Sequence, residues 1–172
     1  MSEGILAIDP GLRGCGAAFG FLGQICAASY VQGVKDPAVR REGLWHPMVK
    51  AVWDWAITHG TSPCGLVIEL PQVYKAAHQR GKKVGTDPQD LIKLAAVVGG
   101  FVCLFRSSNQ EVRTYLPAEW KGQVPKNIVH DRARARLSPT ELAVVQKGLP
   151  RASLAHNVWD AVSLYLRHVG RL

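Results

Sequence analysis

Cysteine is scarce and scattered in this chain. Cys15, Cys26, Cys64 and Cys103 form no C-x-x-C pair and no zinc-type spacing with histidine, which excludes a zinc ribbon or a thioredoxin-like redox motif. Buried thiols in a reducing cytoplasm are the expectation. Internal repeats and low-complexity tracts are absent, which excludes a solenoid and argues against disorder. No cleavable signal opens the sequence and no apolar run approaches the length of a membrane span, so neither secretion nor membrane insertion is expected. Acid is also in short supply: 13 Asp and Glu stand against 21 Lys and Arg, leaving a formal charge of +8. Such an excess favours a polyanionic partner, with nucleic acid ahead of membrane because the chain shows no long basic amphipathic helix and no lipidation signal.

What is present is enough for one enzyme-sized domain over residues 1–172, with 47% hydrophobic residues available for a single core. The apolar runs Ile5 to Asp9, Gly14 to Phe21 and Gln24 to Val31 are separated by Pro10-Gly11-Leu-Arg13 and by Leu22-Gly23, which predicts a three-strand meander. Gly14, Gly16 and Gly20 weaken the middle strand, so they serve either close approach of a backbone or ligand, or turns. Leu44, Met48, Val52 and Trp55 mark a helix from about Arg41 to His59, and Cys64 to Glu69 is a short central strand ended by Pro71. Residues 72–87 look like a basic loop, and Pro88 to Phe105 returns to helical period. A last strand, Glu111 to Tyr115, precedes an all-helical remainder. There Ser138-Pro139-Thr-Glu141 has the cap, first-turn proline and acid of a helix start, and Ala152 to His168 buries Val158, Ala161, Val162 and Tyr165. The class is mixed α/β, a three-strand meander plus further strands flanked by helices.

Two of the apolar strands end by presenting a carboxylate: Asp9 closes Ile5-Leu-Ala-Ile-Asp9 and Glu69 closes Gly65-Leu-Val-Ile-Glu69. A third acid, Asp160, lies in Ala155-His-Asn-Val-Trp-Asp160 on the last helix. Sites in open α/β sheets form beyond strand ends, and carboxylates gathered there are costly unless a cation neutralises them. The pattern therefore points to a hard divalent metal. The plainer readings are an Asp bonding its own turn and a Glu paired with an arginine. His156 and Asn157, four and three residues before Asp160, share its neighbourhood on the helix.

Ile8-Asp9-Pro10-Gly11 opening a glycine-rich hairpin, Glu69 closing the fourth strand and His156-Asn-Val-Trp-Asp160-Ala161 on the last helix resemble the RuvC-type Holliday-junction resolvases, in particular divergent phage-like members. The resemblance spans nearly the whole chain. It implies a ribonuclease H-like fold, a homodimer, and Mg²⁺ or Mn²⁺, two ions per site. It also implies hydrolysis of branched DNA leaving 5′-phosphate ends, in the cytoplasm of a bacterial or phage-infected cell. By position Asp9, Glu69 and Asp160 match the family's metal ligands. Asn157 falls where the family has an acid or a histidine, and this is the main departure: an amide oxygen can ligate but brings no charge, so His156 is its rival as the fourth group.

Three further stretches are candidates for DNA contact. Tyr74 and Lys75, with Arg80, Lys82 and Lys83 in the basic loop that follows, lie after Glu69, where the family places an aromatic wedge at the junction crossover. Packing of Tyr74 as an ordinary aromatic is the competing expectation. Lys121 and Lys126 match the region where the family has basic residues near the scissile phosphate. Lys126, Arg132, Arg134 and Arg136 stand against Asp131 alone from Lys126 to Arg136, a composition suited to salt-sensitive phosphate contacts or simply to a solvated helix face. Two other functions fit the same residues: a catalytically weak protein that only binds branched DNA, and a nuclease of RNA–DNA hybrids.

Overall fold

The computed structural model describes residues 4–33, 45–59, 63–72, 77–79, 82–84 and 87–172. Seven strands and six helices are described: β1 (Gly4–Asp9), β2 (Gly14–Phe21), β3 (Gln24–Gln32), α1 (Trp45–Thr58), β4 (Gly65–Glu69), β5 (Ala77–Gln79), β6 (Lys82–Val84), α2 (Pro88–Ser107), β7 (Glu111–Tyr115), α3 (Pro117–Trp120), α4 (Lys126–Arg136), α5 (Pro139–Lys147) and α6 (Ala152–His168). The main sheet has the order β3-β2-β1-β4-β7. The meander is antiparallel, and β4 and β7 then add in parallel to β1 and to each other. Tight turns suffice for the first three strands, whereas the parallel strands need helical crossovers, here α1 and α2.

Strand alternation divides the interior into two layers. Leu6, Ile8, Ala17, Phe19, Leu66 and Ile68 face α1 and α2, meeting Val52, Ala56, Val98 and Phe101. Ala7, Ala18 and Val67 face the opposite way and meet Val129, Val145 and the stripe Val158, Ala161, Val162 and Tyr165 of α6. Two glycines of β2 let α6 lie close. A Cβ on Gly16 would stand 1.9 Å from the carbonyl oxygen of Asn157, and one on Gly20 would stand 2.2 Å from the Tyr165 ring. Close approach, not turn formation, accounts for both.

Local chemistry sets the helix ends. Asp87 caps α2 by accepting from the Gln89 amide at 2.9 Å. Ser138 and Glu141 form the reciprocal cap of α5, the Ser138 hydroxyl oxygen accepting from the Glu141 amide and the Glu141 carboxylate from the Ser138 amide. Glu141 does more than cap. It is 5% exposed, accepts from the Ile25 amide at 3.0 Å, and takes both amino groups of Arg171 at 2.6 and 2.9 Å. Arg171 also donates to the carbonyls of Gly23 and Arg136, so this one pair ties the C-terminal segment to the β2–β3 turn and to the end of α4.

Three expectations are corrected. The stretch 72–87 is not wholly loop, since β5 and β6 pair antiparallel with Ala77 opposite Val84; three-residue strands are too short to show a period. Cys15 is buried, but Cys26, Cys64 and Cys103 are exposed. Finally, α2 does have the length and apolarity of a membrane span, 28% of that window being buried. Val97, Val98, Phe101 and Phe105 set it on the sheet, while Ile92 is 69% exposed.

Candidate metal centre

Asp9 and Glu69 end neighbouring parallel strands, and because Ile8 is level with Ile68 the two acids are level with each other one residue later. Ala7 and Val67, two residues earlier on each strand, point to the α6 layer, so alternation turns both carboxylates to that side as well. Asp160 comes from α6 itself and is 2% exposed. The ends of two central strands and the helix thus direct three acids towards one region, where the β1–β2 turn begins. Asn157 lies one helical turn before Asp160, half-buried, with its backbone over Gly16, the residue opposite Asp9 on β2. His156 is exposed.

Each of two acids has its own hydrogen-bond partners, a lysine among them. Glu69 Oε2 accepts from the Trp120 indole at 2.6 Å and from Lys121 Nζ at 3.2 Å. Asp160 Oδ2 accepts from Lys126 Nζ at 2.7 Å, and its Oδ1 meets His130 Nε2 at 2.9 Å. Burial opposes ionisation of Asp160, but these bonds outweigh it and hold its pKa below the ordinary value. Asp9 has the opposite balance. Burial, then the charges of Asp160 and Glu69, push its carboxyl well above the usual range, and Lys126 and Lys121 offset this in part.

The donor set suits a hard divalent cation: three carboxylates and a nearby amide, with no thiolate among them. The excess of negative charge around Asp9 is what such an ion would relieve. Among the described residues no three His, Cys, Asp or Glu side chains are already closed around one ion position, since Glu69 leans towards Trp120 and Lys121 while Asp160 leans towards Lys126 and His130.

Lys121 and Lys126, expected beside a phosphate, therefore border the acids directly. Trp120 and His130 had no predicted role. Their signal was faint: Lys126 and His130 stand four apart on α4, which places them on one face. Arg132 and Arg136 are exposed and border a groove of about 600 Å³ with Trp120, Lys121 and Arg167. Arg134 is committed within the chain, bridging Asp131 at 2.6 Å and stacking 4.5 Å from the Trp159 ring. Lys82 and Lys83 lie on β6. Tyr74, Lys75 and Arg80 lie outside the described residues.

No family model and no curated protein matches the chain. Solved structures do. Thermus thermophilus RuvC in complex with a Holliday junction substrate aligns over 97% of this chain and 92% of its own, with TM-score 0.60 and 20% identity. A second structure of Thermus thermophilus RuvC gives TM-score 0.58 at 18% identity, covering 97% and 93% of the two chains. The yeast mitochondrial Holliday junction resolvase Ydc2 gives 0.55 at 11%, covering 98% and 81%. A five-strand mixed sheet flanked by helices, matched over nearly its whole length to these structures, is the ribonuclease H-like fold of the RuvC-type resolvases.

Proposed function

We propose that this protein is a metal-dependent, structure-selective endodeoxyribonuclease that hydrolyses phosphodiester bonds in four-way or otherwise branched DNA, leaving 5′-phosphate ends. The observation that carries the reading is the convergence of Asp9, Glu69 and Asp160 from two strand ends and one helix beneath a basic rim. Asp9, Glu69, Asp160 and the amide oxygen of Asn157 would hold Mg²⁺ or Mn²⁺. His156, being exposed, is the weaker candidate for the fourth position. When bound, a pair of such ions supplies an activated water and stabilises the departing 3′ oxygen.

The chain's own residues do the rest. The carboxylates repel an approaching phosphate until their charge is met, and Lys121 and Lys126 meet it from the rim. The exposed Arg132 and Arg136 extend the positive surface along α4. Tyr74, Lys75, Arg80, Lys82 and Lys83 follow Glu69 in the chain and would meet DNA at the crossover. A homodimer would place two such sites on symmetric strands, and the exposed apolar side of α2 around Ile92 is a surface it could use.

A second reading is a branched-DNA-binding protein with weak catalysis, favoured by the uncharged Asn157 and by lysines already paired with Glu69 and Asp160. The test is cleavage of an end-labelled immobile junction beside matched duplex and RNA–DNA hybrid, in Mg²⁺, Mn²⁺ or EDTA. Paired metal-dependent nicks near the crossover are expected. Tight junction binding with no cut in either metal selects the second reading, and preferential cutting of the hybrid moves the substrate to RNA.

A further inference from the structure

The two oxygens of Asp160 are held by very different partners. His130, on Oδ1, has a side chain only 9% exposed, and its neighbours Val129 and Ala133 on α4 are buried in the layer shared with α6. Lys126, on Oδ2, reaches in from the first residue of the same helix with 54% of its side chain exposed. An imidazole packed between helices has nowhere to go. A lysine on a flexible stem regains hydration when it leaves, and an ion pair with one exposed member is worth little.

Resting on the metal-holding reading above, we infer that His130 is a positioning residue that fixes Oδ1 of Asp160, while Oδ2, engaged by Lys126, is the exchangeable oxygen at which a divalent cation enters. The ring fixes the carboxylate through an N–H donated from Nε2, in the way a buried partner orients a metal ligand. Such preorganisation matters more here than in a site with four charged ligands, because Asn157 contributes no charge. Lys126 acts as a stand-in, neutralising Asp160 while no ion is present and leaving when one arrives. The two residues thus act on metal affinity with opposite sign, which a purely structural pair would not do.

The experiment is Mn²⁺ titration by calorimetry on the full-length protein without DNA, comparing wild type with His130→Ala, His130→Gln and Lys126→Met, each checked for a cooperative melt. His130→Ala is expected to weaken Mn²⁺ by about 10- to 100-fold. His130→Gln, whose amide can donate from a similar place, should recover most of that loss. Lys126→Met should tighten binding by up to about fivefold. Wild-type affinity in a folded His130→Ala, equal losses in the folded Ala and Gln variants, or weaker binding by Lys126→Met each overturn the inference; the Lys126→Met result remains decisive if His130→Ala fails to fold. Wild type that binds no Mn²⁺ removes the metal reading and this inference together, whereas a binding wild type with unresponsive variants removes this inference alone.

Discussion

Glu141 and the Asp9 cluster are two ways of burying acid in one fold, and they differ in who supplies the compensating charge. Glu141 is met by a fixed set: two Arg171 amino groups and the amides of Ile25 and Ser138. First Arg171, then, against burial, these amides hold its pKa down at about 2. The pKa of Asp9 is driven up first by burial and then by two other acids as neighbours, which two lysines only partly answer. Glu141, a single acid met by a guanidinium and two amides, serves stability. A cluster left short of positive charge loses stability and is ready for a cation or a cation-bearing substrate complex.

The sharpest way to break this comparison is to remove one charge from each site. Asp160→Asn is expected to cost roughly 10²- to 10³-fold or more in junction cleavage while leaving binding of the junction intact, as read by nicking assays beside gel shifts. Glu141→Gln should do the reverse, costing about 3 kcal/mol of stability in urea titrations because Arg171 is left without its partner, with cleavage unchanged wherever the variant is folded. Equal loss of cleavage in the two variants would mean that the sites are not distinct.

Acid titration separates them further. The folded-state pKa of Glu141, about 2, lies below its ordinary 4.5, so the folded state binds fewer protons than the unfolded state between those values. Its stabilisation is therefore complete above about pH 4.5 and is lost as pH falls towards 2. Thermal melts of Glu141→Gln should show a shallower fall over that window than wild type. The smallest effect expected is a gain: Asp9→Asn relieves a crowded, buried charge and should raise the stability of the metal-free protein by about 1 kcal/mol, even as cleavage is lost. A destabilised Asp9→Asn would instead mark Asp9 as structural, on a par with Glu141.

Much of this organisation was legible along the chain. Apolar runs closed by Asp9 and Glu69 announce strand ends, and Ser138-Pro139-Thr-Glu141 announces a helix start, because backbone period and capping act within a few residues. Parallel pairing of β1 with β4 brings the first two acids level, an arrangement that the placement at strand ends anticipates. The same local signal showed Glu141 only as a cap. Its pairing with Arg171, 30 residues away, is a product of the last helix returning to the sheet.

The sequence by itself determined the order of the main-sheet strands and their covering helices and the placement of Asp9 and Glu69 at strand ends, since each follows from hydrophobic period and from the rule that a strand's end can expose a charge its interior cannot. Only the tertiary structure decided which donors answer which acids: Trp120 and Lys121 on Glu69 across 51 and 52 residues, and Lys126 and His130 on Asp160 across 34 and 30. It also decided why Gly16 and Gly20 are glycines, for the space they leave is filled by a helix more than 130 residues later. Those contacts depend on where α4 and α6 settle against the sheet, and long-range packing leaves no periodic trace in the residues that take part in it.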